Sequence, residues 1–259
     1  MTDTSHKKIY FFSDAHLGIP NMVSSRKREM KLVKCLDQIK EDALEIYILG
    51  DLFDFWFEYK TTIPKGFTRL FGKLAEITDS GIPIHFFRGN HDIWSFDYFQ
   101  EELNIKMYRK PVIKELLGKK FFLGHGDGLG EGDLGYKFIK WVFERKFNQW
   151  LFRWLHPDWG LAMGLFWSRR SRYANEARES KAYENNDFQS LENTRLPKFA
   201  KNLLDGGEDI DYFVMGHWHT MKNIELKPGS RFIFLGDWIS FFSYGVFDGK
   251  TFELKQFEE

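Results

Sequence analysis

Five short polar signatures follow predicted buried strands, and they constrain this chain more than any other feature. They are Ser13-Asp14-Ala15-His16, Gly50-Asp51-Leu52-Phe53-Asp54, Gly89-Asn90-His91-Asp92, Gly124-His125-Gly126-Asp127 and Gly216-His217-Trp218-His219. In α/β sheets, ligands bind beyond the carboxyl ends of the strands, so these side chains should meet at one edge although they are distant in the chain. The glycines allow sharp turns and a close approach of the backbone to a bound group.

Short apolar, β-branched and aromatic runs predict the strands themselves. These runs are residues 9–12, 45–49, 83–87, 120–123, 212–215 and 232–235. Apolar residues at helical spacing predict a helix over 26–41, with Ser24 or Ser25 as its N-cap. A second helix is predicted over 67–78, because Ser80-Gly81 is a helix-ending signal. The β-α-β-α-β order predicts an α/β fold in which helices cover the sheets.

The alternation ends after Gly135, where an aromatic helical segment begins. Residues 136–167 contain eleven aromatic side chains, five of them Trp, with apolar positions three to four residues apart. A polar helical stretch follows over 168–203, and Asp248-Gly249 predicts a closing hairpin over 244–257. We therefore expect one domain over 1–259 with a helical insertion at about 133–203. The aromatic stripe either packs the insertion onto the domain or lines a pocket, and the sequence leaves both arrangements open.

Charge and cysteine content argue against several classes of protein. Lys plus Arg and Asp plus Glu each total 37, so the chain lacks the overall positive field that drives nucleic-acid binding. The single Cys35 cannot form an intramolecular disulfide, which fits a reducing compartment. No signal-peptide pattern precedes the first strand, and no apolar run approaches the roughly 18 residues of a membrane span. We expect a cytoplasmic protein that does not bind nucleic acid.

Seven side chains in the signatures are candidate metal ligands. They are Asp14, His16, Asp51, Asn90, His125, His217 and His219. Imidazole and carboxylate suit Zn, Mn or Fe, and seven ligands exceed the needs of one tetrahedral ion. Two ions about 3.5–4 Å apart would hold a phosphoryl group for in-line displacement and acidify a bridging water. A lone Asp at a strand end is usually a turn cap, but five signatures together favour a metal centre.

In order, the signatures resemble the motifs of the calcineurin-like metallophosphoesterases: D-x-H, G-D-x-x-D, G-N-H-D or G-N-R-D, H-G-D and G-H-x-H. The resemblance covers the chain from Asp14 to His219 and implies two packed mixed β-sheets flanked by helices. It implies one ion bound by Asp14, His16, Asp51 and His219, and another bound by Asp51, Asn90, His125 and His217. It further implies that His91 lies over the scissile phosphate as a proton donor or charge stabiliser, with Asp92 orienting its imidazole.

Within that family, the chain is most similar to the UDP-2,3-diacylglucosamine diphosphatases of lipid A biosynthesis. The similarity rests on Ser13-Asp14-x-His16-Leu17, His125-Gly126-Asp127-x-Leu129, Tyr136 and the insertion. It implies hydrolysis of the pyrophosphate to UMP and 2,3-diacylglucosamine 1-phosphate with two divalent ions, typically Mn, with Zn or Fe as other candidates. It also implies a substrate-binding set of Asp133, Ser168, Ser171, Arg172 and Asn175. One departure is His91, where those diphosphatases carry Arg, since imidazole can donate a proton and guanidinium essentially cannot.

The insertion also predicts where the protein acts. Between Tyr136 and Arg172 there are eight Lys and Arg against two acids, which favours an anionic head group or membrane leaflet. We expect a peripheral protein on the cytoplasmic face of the inner membrane that acts on a nucleotide-linked glycolipid, without an obligate protein partner. Two alternatives remain: another phosphoesterase of this fold acting on a soluble nucleotide or phosphoprotein, and a non-catalytic scaffold without metals.

Overall fold

The computed structural model describes residues 7–184, Glu192 and 194–258, and over 171–184 it describes the backbone alone. The strands in these residues are β1 Lys8–Phe12, β2 Ala43–Ile48, β3 Ile84–Phe87, β4 Lys106–Tyr108, β5 Val112–Leu116, β6 Lys119–Gly124, β7 Tyr212–Met215, β8 Met221–Lys227, β9 Ser230–Leu235, β10 Ser243–Phe247 and β11 Phe252–Gln256. The helices are α1 Met22–Ile39, α2 Thr68–Asp79, α3 Tyr98–Leu103, α4 Leu134–Glu144, α5 Lys146–Arg153, α6 Pro157–Glu184 and α7 Arg195–Asp205.

Two mixed sheets form the centre of the protein. The first has the order β11-β10-β1-β2-β3-β4, and the second has the order β5-β6-β7-β9-β8. Strands β1 to β4 run parallel to one another, as do β6, β7 and β9, whereas β10, β11, β5 and β8 pair antiparallel. This confirms the predicted α/β fold of two mixed sheets flanked by helices, and the closing hairpin is confirmed as β10 and β11.

Strand β1 shows why the sequence reads as a continuous apolar run. Successive side chains of a strand point to opposite faces, and both faces of β1 are covered. Ile9 and Phe11 enter the core between the two sheets, while Tyr10 and Phe12 enter the core beneath the helices. Full burial of one such side chain stabilises the fold by about 1.5–3 kcal/mol, so each face contributes.

The helices cover the outer faces of the two sheets. Helices α1 and α2 contribute Leu32, Leu36, Leu70 and Leu74 to the core over the first sheet. Helix α7 lies over the second sheet, where Leu196, Ala200 and Leu204 join a cluster with strand side chains. Both sheets are therefore covered on their faces, and their strand ends remain as the place where polar side chains can gather.

Helices α4 to α7 lie between β6 and β7 in the chain, where the insertion is predicted. Phe143 and Phe152 pack against a buried cluster that contains Phe57 and Trp94, and the Trp94 Nε1 donates a hydrogen bond to the Phe143 carbonyl (2.8 Å). Other aromatic side chains of α4 to α6 are exposed: Phe138 by 64%, Trp154 by 75% and Trp159 by 74%. One part of the aromatic stripe thus packs the insertion onto the domain, and another part faces outward.

Helix α1 begins earlier than predicted, and its N-cap is neither Ser24 nor Ser25. The Asn21 side chain accepts hydrogen bonds from the backbone N–H groups of Val23 (3.1 Å) and Ser24 (3.0 Å). Ser25 is buried within the helix, and its hydroxyl accepts from the Gly18 N–H (2.8 Å). The prediction was wrong because Asn and Ser are equally good N-caps and only the backbone path distinguishes them.

Replacing Asn21 by Ala should lower the free energy of unfolding by about 1 kcal/mol, since two N–H groups at the start of α1 would lose their acceptor. Urea unfolding followed by circular dichroism measures this change. Ser24→Ala is the matched control and should change stability by less than about 0.5 kcal/mol. An equal or larger loss in the Ser24 variant would contradict the cap assignment.

Candidate metal centre

All seven predicted ligands lie together at the carboxyl ends of parallel strands from both sheets. The ligands after β1, β2 and β3 come from the first sheet, and those after β6 and β7 come from the second. Asp14, His16, Asp51 and His125 are each exposed by 2% or less. The centre therefore lies where the two sheets meet, and it is shielded from water on most sides.

The first group of ligand atoms belongs to Asp14, His16 and His219, which lie within 4.8 Å of one another. The His16 Nε2 is 3.7 Å from the Asp14 Oδ1 and 3.2 Å from the His219 Nε2. The His219 Nε2 is also 3.6 Å from the Asp14 Oδ1. These distances describe three ligand atoms facing one common point.

A second group consists of Asp51, His125 and His217, again within 4.8 Å. The His125 Nε2 is 3.2 Å from the Asp51 Oδ2 and 3.2 Å from the Asn90 Oδ1. The same Asp51 oxygen is 3.7 Å from the His16 Nε2 of the first group. Asp51 thus lies between the two groups, where a carboxylate that bridges two ions has to be.

Hydrogen bonds at the outer ring nitrogens show which imidazole atoms face the centre. Three of the four ligand histidines have the Nδ1 beside an acceptor oxygen: His16 beside Asp54 (3.4 Å), His219 beside Asp237 (3.3 Å) and His125 beside the Leu49 carbonyl (2.8 Å). In the neutral rings the Nδ1 therefore carries the hydrogen, and the Nε2 presents a lone pair. This arrangement, in which an oxygen orients the metal-binding imidazole, is common in metalloproteins.

Acceptor atoms that face one another need a positive charge between them. The Asp14 Oδ1 is buried and has no hydrogen-bond partner within the described residues. Two imidazole Nε2 atoms, those of His16 and His219, face each other at 3.2 Å. Divalent cations would satisfy these lone pairs together, so the residues fit a two-ion centre with oxygen and nitrogen ligands.

Burial and charge set the protonation of the two central carboxylates. Burial alone would raise the pKa of Asp14, but the nearby imidazoles of His16, His125 and His219 outweigh it and lower the pKa to about 2. Burial likewise opposes ionisation of Asp51, yet His125 and His91 hold its pKa well below the usual range. Both carboxylates are therefore ionised at neutral pH.

Two histidines of the second group titrate in opposite directions. Burial would lower the pKa of His125, but the Asp51 carboxylate raises it well above the usual value. Burial, together with the charge of His125, lowers the pKa of His217 to about 4. In the metal-free protein a proton on His125 thus supplies positive charge to the centre, and metal binding must displace it.

The backbone at the ligands is strained. Five of the seven have positive φ: Asp14 (54°), His16 (41°), Asp51 (52°), His217 (69°) and His219 (40°). Such conformations cost on the order of 1–3 kcal/mol each in residues other than glycine and cluster at functional sites. Close approach also explains two signature glycines, because a Cβ on Gly89 would collide with the Asp51 carboxylate and one on Gly216 with that of Asp14.

His91 lies beside the centre and contacts the insertion. Its Nδ1 is 2.8 Å from the Asp54 carbonyl oxygen and 3.1 Å from the Ser168 hydroxyl. The Ser168 hydroxyl in turn donates to the Asp54 Oδ2 (2.6 Å). The His91 Nε2 is 3.9 Å from the Asp51 Oδ2, so this is the ring atom that faces the centre.

The predicted role of Asp92 is wrong. Its carboxylate accepts hydrogen bonds from the backbone N–H groups of Leu52 (2.9 Å) and Gly89 (2.7 Å), so it joins two loops instead of orienting His91. Burial and the nearby Asp51 raise the pKa of Asp92 to about 7. The His91 ring is oriented by Asp54 and the insertion, which the residue order alone does not show.

Of the two predicted substrate-binding residues whose side chains the structure describes, one lies beside His91 and the other does not. Ser168 is buried beside His91, whereas Asp133 immediately precedes α4 and its carboxylate accepts a hydrogen bond from Arg195 (2.9 Å). The side chains of Ser171, Arg172 and Asn175 lie outside the described residues. Ser168 is therefore the described member of this set that lies next to the centre.

An apolar cavity of about 540 Å³ opens beside His91. Side chains from the domain and from the insertion share its walls, including Ile93, Trp94, Ile139, Phe143, Met163 and Trp167. Asn90, Ser168 and Arg170 add polar groups to the same walls. We call this the apolar cavity. Its apolar walls lie next to Asn90 and His91 of the candidate metal centre.

Two carboxylates that orient ligands were not assigned a role from the sequence. Asp54 belongs to the second signature, but its contacts with His16 and Ser168 come from distant parts of the chain. Asp237 follows Gly236 at the end of β9, and its Oδ2 lies beside His219. The Gly-Asp pair after a predicted strand repeats the pattern of the other signatures and was the available signal.

A family model described as calcineurin-like phosphoesterase matches residues 7–221. The chain belongs to the calcineurin-like phosphoesterase family. It is therefore a hydrolase of a family that uses divalent metals, as the resemblance implied. Within this family it is 39% identical to a protein of Porphyromonas gingivalis named UDP-2,3-diacylglucosamine hydrolase, over 97% of this chain and 98% of that protein.

More distant members of the calcineurin-like phosphoesterase family carry the same name. One from Actinobacillus succinogenes is 27% identical over 89% of this chain and 92% of its own length. The solved structure of the E. coli phosphoesterase Yfce matches with a TM-score of 0.43 and 16% identity, over 92% of this chain and 87% of that chain. That structure is too distant to bear on the substrate.

Adding Mn²⁺ should raise the melting temperature of the wild-type protein, because an ion at 100 times its dissociation constant stabilises the native state by about 2.7 kcal/mol. Asp51→Asn removes the charge between the two groups and should abolish most of this gain. Asp37→Asn, on the surface of α1, is the control and should keep it. Elemental analysis should find about two ions in the wild-type protein, and a metal-free protein without a Mn²⁺ response would support the scaffold alternative.

Binding of Mn²⁺ should also depend on pH. The pKa of His125 is raised, so its proton competes with the metal until the pH exceeds that pKa. The affinity for Mn²⁺ should therefore increase as the pH rises toward the raised pKa of His125, with proton release on binding. Calorimetry in buffers of different ionisation enthalpy measures the released protons, and an affinity that does not change with pH would contradict this assignment.

Proposed function

We propose that this protein hydrolyses the pyrophosphate of UDP-2,3-diacylglucosamine to UMP and 2,3-diacylglucosamine 1-phosphate, a step of lipid A biosynthesis. The observation that carries the proposal is the apolar cavity of about 540 Å³, which opens directly beside His91 and the candidate metal centre. A phosphoesterase of soluble nucleotides has no need of such a cavity. The named relatives support the same substrate.

The apolar cavity suits the diacylglucosamine half of this substrate. Each buried CH₂ group of an acyl chain contributes about 0.8 kcal/mol, so a cavity walled by aromatic and aliphatic side chains binds such chains strongly. Ser168 and Arg170 lie among these apolar walls and offer a hydroxyl and a positive charge. These groups match the hydroxyls and the phosphate of a sugar phosphate.

The reaction we propose needs two divalent ions, which we propose to be Mn²⁺, to polarise the phosphate and supply an acidified water. Asp14, His16, Asp51, Asn90, His125, His217 and His219 are proposed to hold them. We assign His91 the role of proton donor or charge stabiliser, because its Nε2 faces the centre while Asp54 and Ser168 hold its Nδ1. Burial lowers the pKa of His91, whereas the Asp51 carboxylate favours its protonated form.

The proposal includes attachment to an anionic membrane surface. Apolar side chains of α4 to α6 are exposed in a number that is unusual for a soluble domain, among them Phe138, Trp150, Trp154, Trp159 and Phe166. Lys and Arg are interspersed with them, as in helices that lie in the interface of an anionic bilayer. Within the described residues, none of the helices has the length and apolarity to cross a membrane.

Mn-loaded wild-type protein should release UMP from UDP-2,3-diacylglucosamine dispersed in detergent. Asp51→Asn and His125→Ala should lower kcat at least about a hundredfold, since each removes a proposed metal ligand. Chromatography of the released nucleotide gives the rate, and circular dichroism checks that the variants fold. Absence of UMP, or faster turnover of a soluble nucleotide or phosphoprotein in a substrate panel, would favour the alternative phosphoesterase.

Replacing Trp150 and Trp154 by Ser should lower the fraction of protein that sediments with vesicles of phosphatidylglycerol, by about tenfold or more, because two aromatic side chains leave the interface. The matched control is Val23→Ser with Ile113→Ser, which removes exposed apolar side chains from α1 and β5. Equal sedimentation of the Trp variant and the wild type would contradict the proposal that α4 to α6 attach to the membrane.

A further inference from the structure

A second cavity, of about 260 Å³, has the candidate metal ligand His125 in its wall. Five basic side chains line it: Arg88, Arg109, Lys110, Lys137 and Lys140. We call it the basic cavity, and it shares none of its described lining residues with the apolar cavity. Two acids, Asp127 and Glu144, also line it, so the lining residues keep an excess of positive charge.

Part of this positive charge already has partners. The Lys140 Nζ pairs with the Asp127 carboxylate (2.6 Å), which also accepts from the Tyr136 hydroxyl (2.5 Å). The Lys137 Nζ donates to the Gly130 carbonyl oxygen (2.5 Å). Asp127 is thus neutralised by its own neighbours and does not compensate the other cations.

The other three basic side chains, Arg88, Arg109 and Lys110, are available to bind an anion. The Nε and Nη2 atoms of Arg88 are buried and have no hydrogen-bond partner within the described residues. Arg109 and Lys110 are exposed at the rim, and the described residues place no carboxylate within ion-pair distance of either. A buried guanidinium without a partner is costly, and phosphate oxygens are the acceptors that match its geometry.

The backbone links Arg88 directly to Asn90 and His91 of the candidate metal centre. Arg88 precedes Gly89-Asn90-His91 at the end of β3, so the loop that presents Arg88 to the basic cavity also presents Asn90 and His91 to the apolar cavity. The Arg88 guanidinium is charged at neutral pH, as that of arginine is in proteins generally. Each cavity therefore reaches the candidate metal centre, the basic cavity at His125 and the apolar cavity at Asn90.

We propose that the basic cavity binds the nucleoside monophosphate half of the substrate, while the apolar cavity binds the acylated half. This inference rests on the proposed function. The order of groups in UDP-2,3-diacylglucosamine is base, ribose, pyrophosphate, sugar and acyl chains, so binding at both cavities places the pyrophosphate across the centre. Tyr108, Leu129 and Trp141 give the basic cavity an apolar wall for the flat face of the base.

Binding of UMP to the Mn-loaded protein, measured by calorimetry, tests the proposal. Arg109→Ala combined with Lys110→Ala should weaken UMP binding by about tenfold or more and raise the KM for UDP-2,3-diacylglucosamine. The matched control is Lys65→Ala with Arg69→Ala, which removes the same charge from residues that line neither cavity. The control should bind UMP within about twofold of the wild type. Unchanged UMP affinity in the Arg109 and Lys110 variant would overturn the proposal.

Binding of inorganic phosphate and of uridine, measured separately, distinguishes the charged part of the basic cavity from its apolar wall. The Arg109 and Lys110 variant should lose affinity for phosphate but not for uridine, because it removes charge. Trp141→Ala should weaken binding of UMP and leave the binding of phosphate unchanged, because it removes part of the apolar wall. If Trp141→Ala leaves UMP binding unchanged, the cavity is a site for phosphate alone, and the assignment to a nucleotide is wrong.

Failure of this inference can be told apart from failure of the proposed function. If the wild type does not hydrolyse the glycolipid but binds UMP through Arg109 and Lys110, the cavity is a nucleotide site and the proposed substrate is wrong. If the wild type hydrolyses the glycolipid while UMP affinity and KM are the same in the variant, the substrate stands and the basic cavity is not its nucleotide site.

Discussion

The centre of this protein depends on acceptor atoms that are held face to face. Carboxylate oxygens and imidazole nitrogens from five loops point at one another across 3.2–3.9 Å, in a setting where water is largely excluded. Without positive charge these atoms repel one another, and the repulsion is strong in a medium of low dielectric. The geometry is stable only because the sheets hold the loops in place and because protons or metal ions neutralise the site.

Packing between the sheets is what holds the loops. Three ligand loops follow strands of the first sheet and two follow strands of the second, so the distance between ligand groups is set by the core between the sheets. Phe11 of β1 stacks on Tyr47 of β2 (5.3 Å between ring centroids) and on Phe121 of β6 (5.7 Å). A change of side-chain volume there moves one sheet relative to the other, and the ligands move with it.

The sequence predicts the parts of this structure that depend on local pattern. Central strands are buried on both faces and give continuous apolar runs, but β4, β5 and β8 contain exposed residues and were missed. The candidate ligand residues could be proposed from the sequence because each follows a predicted strand. The contacts of Asp92, Asp133 and Asp54 were not found, because their partners are set by how distant segments pack.

One short loop after β3 carries both His91 and Arg88. At position 91 the chain has an imidazole whose charge depends on burial and on Asp51. The permanently charged group of the loop is Arg88, and it lines the basic cavity. If that cavity holds the nucleotide phosphate, Arg88 supplies the fixed positive charge on that side and His91 is left to handle a proton. Fixed charge and proton transfer are then assigned to two different side chains of the same loop, because a guanidinium essentially cannot donate a proton.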